Sequence, residues 1–221
     1  MQPFTEEYIA QRLFEAQQSQ PESAKIWAHL YDAPRSAAVL IPLFRANIPQ
    51  ESNNAWQVLL TRRTNSVAEH QGQVAFPGGQ ADPTDMSAEM TALREAHEEI
   101  GLDPTQVRLL GRMHNLQTIT NYNVTPIVGV IPWPFPIKLE ETEVSRVFSI
   151  PLEWLADPNH RETRNRKIPN PFAQILHREI HPVIYFQPYQ DELLWGVSAE
   201  ITVRLIDLLY NKKKAGDQSP A

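Results

Sequence analysis

Three glutamates within little more than one helical turn, Glu95, Glu98 and Glu99, directly follow Arg94, and their types and spacing are the clearest suggestion of chemistry in this chain. At about 100° per residue they share one face of a helix, with Leu93, Ala96, His97 and Ile100 on the opposite side. Carboxylates three and four residues apart repel one another on an isolated helix, so this face calls for a cationic partner. Mg²⁺ or Mn²⁺ suits it, because these ions take oxygen ligands and leave positions for water and substrate phosphate. Arg94 stands one turn before Glu98, placed to pair with it and hold its rotamer. The competing reading is a solvated acidic face with no ligand.

The residues that must position these groups are legible on either side. Met90, Leu93, His97 and Ile100 recur at helical intervals, Asp85 stands as a possible N-cap, and Gly101 sits where a terminal glycine ends a helix. The turn Phe76-Pro77-Gly78-Gly79 precedes this segment.

Arg94-Glu95-Ala96-x-Glu98-Glu99-x-Gly101-Leu102 matches the second half of the Nudix box. In the first half, Asp85 replaces a glutamate and eight residues instead of seven separate it from Arg94. This longer entrance, with the upstream run Leu59-Leu60-Thr61-Arg62-Arg63 and His70-Gln71-Gly72-Gln73-Val74-Ala75-Phe76-Pro77-Gly78-Gly79, resembles the coenzyme A pyrophosphatase branch of the Nudix hydrolases. The resemblance runs from about Ala38 to Leu209.

It implies a mixed α/β fold, the Nudix α/β/α sandwich, and metal-dependent hydrolysis of a diphosphate bond in a small nucleotide by water. The implied substrate is coenzyme A or an acyl derivative, cleaved to 3′,5′-ADP and (acyl-)4′-phosphopantetheine. The implied metal ligands are Glu95, Glu98, Glu99 and Gly79. Glu98, oriented by Arg94, is the candidate proton acceptor, Glu143 is a further catalytic candidate, and Gly78 and Gly79 contact substrate. Val67-Ala68-Glu69-His70 contains no Lys or Arg, which leaves open ADP-ribose or a dinucleoside polyphosphate as substrate. A binding module that no longer cleaves is the non-enzymatic alternative.

Composition bounds the rest. The 221 residues, 42% hydrophobic and 21% charged, match one globular domain with its own core. A formal charge of −6 disfavours a nucleic-acid backbone as partner, and the absence of cysteine removes disulfides and thiol chemistry. With no basic-then-apolar start and no apolar run near about 20 residues, the expectation is a cytoplasmic enzyme without membrane contact.

We divide the chain into a helical N-terminal extension (1–35) packed on the same domain, a Nudix domain (36–210) and a flexible tail (211–221). In the extension, residues 5 to 19 read as a helix with Tyr8, Ile9, Leu13 and Phe14 inward. Strands are expected over Ala37–Phe44, Trp56–Arg62, Val107–Met113 and Val124–Ile131. Arg62 and Arg63 end the second strand, where they either contact substrate phosphate or solvate the strand end. Residues 157 to 182 read as a long irregular excursion or a hairpin over the site, whose Arg161, Arg164, Arg166 and Lys167 are phosphate candidates. Closing strands at Val183–Phe186 and Leu193–Trp195 and a helix over Ser198–Tyr210 complete the pattern.

Overall fold

A computed structural model describes residues 4–18, 33–46, 55–64, 72–170, 172–175 and 177–210. The expectations for residues 19–32, for Val67-Ala68-Glu69-His70 and for the 211–221 tail lie outside these residues.

Seven of nine positions are buried in each of the segments Ala55–Arg63 and Tyr122–Val130, so these two strands are covered on both faces. The main sheet contains β1 (Arg35–Ala46), β2 (Ala55–Arg63), β3 (Val74–Ala75), β4 (Gly78–Gln80), β5 (Arg108–Arg112), β6 (Leu116–Gln117), β7 (Tyr122–Val130) and β8 (Val144–Pro151). Only β1 and β7 run parallel; every other pairing is antiparallel.

Helix α2 (Ala88–Ile100) covers one face, while α1 (Glu6–Gln17), α3 (Leu152–Ala156) and α5 (Gly196–Tyr210) cover the other. Strand alternation sorts the core accordingly. On β1, Ala38, Leu40 and Phe44 pack with Ala92, Ala96 and Ile100 of α2, while Ala37, Ile41 and Leu43 join Ile9, Leu13 and Leu205. The result is the expected α/β/α sandwich.

One departure from regular pairing builds the site. β1 and β2 pair through Leu43–Ala46 and Ala55–Val58, then separate. The chain from Val74 to Gln80 fills the gap: β3 bonds to Thr61 and Arg62 of β2, and β4 bonds to Ala37, Ala38 and Val39 of β1. The glycine turn is therefore wedged between two buried strands and stands beside α2.

Several expectations change. Phe14 is 68% exposed and Met90 is also exposed, because Ile9 and Leu13 on α1 and Thr91, Ala92, Ala96 and Ile100 on α2 already fill the contact stripes. Of the two readings of residues 157 to 182, the hairpin holds: β9 (Arg161–Lys167) pairs with β10 (Ile180–Phe186), with α4 (Phe172–Ile175) between them. That ribbon is a separate two-stranded sheet, and Leu193–Trp195 contributes only a bridge from Trp195 to Tyr185. No helix among the described residues is long and apolar enough to cross a membrane.

Leu59 is fully buried between β2 and α2. Leu59→Ala is expected to cost about 2–5 kcal/mol in urea unfolding, whereas Phe14→Ala should stay within about 0.5 kcal/mol.

Candidate active site

Helix α2 starts later than Asp85. Ser87 is the N-cap, its hydroxyl accepting the Met90 N–H at 3.2 Å, and Gly101 ends the helix with φ of 72°. Asp85 performs a different task. Its carboxylate accepts from the Thr91 hydroxyl at 3.0 Å, from the Asp82 N–H at 2.9 Å and from Arg94 Nη2 at 3.0 Å. The Arg94 hydrogen bonds hold the Asp85 carboxyl down at about 2.

Arg94 distributes its remaining donors over the site. Nη1 lies 2.9 Å from Glu95 Oε1 and 3.0 Å from Glu98 Oε2, and Nη2 donates to the Gln80 carbonyl at 3.1 Å. The predicted Arg94–Glu98 pair is present, as part of a larger fan that ties the helix to the end of the glycine turn.

The three glutamates do not occupy one environment, which corrects the shared open face. Glu99 is only 3% exposed, Glu95 is mostly covered, and the Glu98 side chain is 56% exposed. His97, expected on the apolar side, faces solvent, with Nδ1 3.1 Å from the Leu102 carbonyl. The difference lies in rotation: the apolar stripe centres on Ala92, Ala96 and Ile100, which carries Glu99 inward and His97 outward.

Burial pushes the Glu99 carboxyl up to about 8, against the opposing pull of Arg63 and the Gly78 N–H. Glu99 Oε2 accepts that N–H at 3.3 Å, and Oε1 lies 3.6 Å from Arg63 Nη1. Burial also raises Glu95. Gly79 runs so close to Glu95 that a Cβ there would stand 2.5 Å from the carboxylate, and one on Gly78 would meet the β1 backbone, 2.6 Å from Val39 Cα. Glycine at both positions lets the turn lie against the acidic helix.

Glu143 joins this group. Its carboxylate is 3.8 Å from Arg63 Nη2 and, with its like charge, raises Glu95 and Glu99. A strap positions it: the Lys138 N–H donates to the Ile100 carbonyl at 3.1 Å, the Glu140 N–H to the Glu99 carbonyl at 3.0 Å, and the Thr64 N–H to the Glu143 carbonyl at 2.8 Å. The strap thus satisfies two of the last carbonyls of α2.

Arg62 does not reach the box. It turns to the opposite face and pairs with Glu192 at 3.5 Å. Arg164 pairs with Glu162 and lies over Tyr185, and Arg166 lies over Trp195, so these hairpin cations are engaged locally. The anchoring role of Asp85, the strap and Glu192 were not read from the sequence. Only Asp85 had a signal there, at the position where the box places an acidic residue.

The donor set fits a hard divalent cation: every side chain is a carboxylate, two have raised pKa values, and no nitrogen or sulfur competes. Among the described residues, no three such groups are drawn together closely enough to hold an ion as they stand. Arg94 and Arg63 occupy the carboxylates instead.

Asp85→Asn should destabilise the protein by about 1.5–3 kcal/mol at pH 7 by weakening the bonds to Arg94. Because folding lowers this carboxyl from 3.8 to about 2, its contribution is complete above the unfolded value and lost as pH falls through the folded one. The gap in unfolding free energy between wild type and variant, measured by urea titration, should accordingly shrink between about pH 4 and pH 2.

Residues 34–183 match the NUDIX domain family. Nudix hydrolases named NudL, described as uncharacterized, from Yersinia pestis (strain Pestoides F) and Yersinia pseudotuberculosis (serotype O:1b, strain IP 31758) are each 36% identical over 201 residues, covering 89% of this chain and 92% of theirs. A MutT/nudix family protein from Enterococcus faecalis shares the fold at a TM-score of 0.50 and 15% identity, over 88% of this chain and 71% of that one. With the box helix, the glycine turn and the carboxylates assembled as described, the chain belongs to the Nudix hydrolase family.

Proposed function

We propose that this protein is a divalent-cation-dependent diphosphatase that hydrolyses coenzyme A or acyl-coenzyme A to 3′,5′-ADP and (acyl-)4′-phosphopantetheine. The observation that carries the substrate reading is the Leu59–Gly79 run joined to a box entrance one residue longer at Asp85. The buried Glu99, flanked by Glu95, Glu143 and Arg63 beside the glycine turn, supports diphosphate hydrolysis at this place.

Glu95, Glu98 and Glu99, with the backbone of Gly79, are the proposed holders of Mg²⁺ or Mn²⁺. An ion held there would neutralise the diphosphate and make water more acidic. The chain's own residues do the remaining work. Arg94 anchors on Asp85 and fixes the rotamers of Glu95 and Glu98. Glu98, the most exposed of the three, accepts the proton from attacking water, and Glu143 is the alternative acceptor. Arg63 offers a guanidinium to the departing phosphate, and Gly78 and Gly79 admit the diphosphate close to the backbone.

A second reading keeps this chemistry with ADP-ribose or a dinucleoside polyphosphate, and is favoured by the lack of Lys or Arg in Val67-Ala68-Glu69-His70. Mass spectrometry after incubation with coenzyme A and Mg²⁺ or Mn²⁺ decides between them. We expect 3′,5′-ADP and 4′-phosphopantetheine, with Glu98→Gln at least about 10²-fold slower and Glu143→Gln less affected. Cleavage of ADP-ribose or dinucleoside polyphosphates alone would move the assignment to the second reading. Silence with all three would leave a binding module.

Ion binding has its own readout. Mn²⁺ at about 100 times its dissociation constant should stabilise the fold by roughly 2.7 kcal/mol, seen as a rise in Tm. Glu99→Gln should remove most of that rise; an unchanged rise would place the ion elsewhere.

A further inference from the structure

Arg62 on β2 and Arg146 on β8 are direct cross-strand partners. Both lie on the face that carries Val58, Leu60, Phe148 and Ile150, away from the box helix. Their guanidiniums meet at one oxygen: Arg146 Nη1 donates to Glu192 Oε1 at 3.1 Å, and Arg62 Nη1 reaches the same atom at 3.5 Å. Glu192 is almost wholly buried, while both arginine side chains remain nearly half exposed.

Each guanidinium has five N–H donors, and among the described residues neither guanidinium has a hydrogen-bonding partner other than Glu192. Arg146 also rests over the Phe148 ring, 5.8 Å from its centre. Two cations against one carboxylate leave one positive charge, in a chain whose formal charge is −6. The buried Glu192 holds both forks from beneath and leaves their outer donors for a ligand. Preorganised guanidinium pairs of this kind suit a phosphate with several acceptor oxygens.

The neighbouring residue makes the location meaningful. Arg63 turns to the other face and reaches Glu99 and Glu143. Consecutive residues therefore present cations on both sides of one strand end.

We propose that Arg62 and Arg146 form a subsite for a phosphomonoester that the substrate carries in addition to its diphosphate. This rests on the reaction read above: a nucleotide with its diphosphate at Arg63 and the box extends around the end of β2, placing a ribose phosphate between Arg62 and Arg146. Nucleotides without that phosphate lose these bonds.

Calorimetric titration of the full chain in Mg²⁺ with 3′,5′-ADP and 5′-AMP tests the subsite, since neither ligand has a diphosphate bond to cleave. We expect 3′,5′-ADP to bind about tenfold more tightly or better, the equivalent of 1.4 kcal/mol. Arg146→Gln and Arg62→Gln should each reduce that preference to within about threefold. Arg146→Lys, which keeps the charge and loses the fork, should retain part of it; circular dichroism checks that each variant folds. Equal affinities in the wild type, or a preference that neither glutamine variant moves, would overturn the proposal. If the preference holds but coenzyme A is not cleaved, the subsite stands and the reaction assignment fails. If coenzyme A and its 3′-dephospho form are cleaved with the same KM and kcat, the subsite fails alone.

Discussion

The site depends on how one guanidinium is shared. Arg94 is held by Asp85 and the Gln80 carbonyl on one side and spends its remaining contacts on Glu95 and Glu98. Without it, the acidic helix would face the glycine turn with uncompensated carboxylates, in surroundings where burial already raises Glu95 and Glu99. The planar fork suits this work because its donors leave in fixed directions. Arg94 thereby links three separate stretches of chain: the end of β4, the loop entering α2, and the helix itself.

The second constraint is the separation of β1 from β2. Two buried strands that part leave backbone donors and acceptors which must find partners, and the segment from Val74 to Gln80 supplies them to both. Loop and sheet are consequently one structure at this point. Glycine at 78 and 79 follows from the crowding that results, with β1 on one side and Glu95 on the other.

Much of this was readable in the sequence. The helix termination at Gly101, the strands β1, β2 and β7 and the Arg94–Glu98 pair all rest on local rules of spacing, propensity and capping, which a linear reading can apply. The failures were matters of tertiary context. Helical spacing put the three glutamates on one arc, but only contact with the sheet determines that Ala92, Ala96 and Ile100 face inward and take Glu99 with them. The adjacent arginines at the end of β2 looked alike in the sequence and part company because strand residues alternate in direction. Asp85 was misread as a cap because its partner lies nine positions along the chain, beyond the reach of a capping rule. The strap makes its key contacts through backbone groups, which no side-chain pattern advertises.

That strap has a mechanical corollary. Its amides dock on the terminal carbonyls of α2, and the Glu143 carbonyl is fastened to Thr64, so the placement of Glu143 is anchored at both ends by main-chain bonds. The proline-rich passage from Pro132 to Pro136 before it is fixed in its own right, with Trp133 stacked on Phe44 at 4.3 Å between ring centres and Phe135 packed against the α2-side core. The carboxylate is thus carried between fastened points, and a substitution of the Glu143 side chain leaves every one of those main-chain anchors in place.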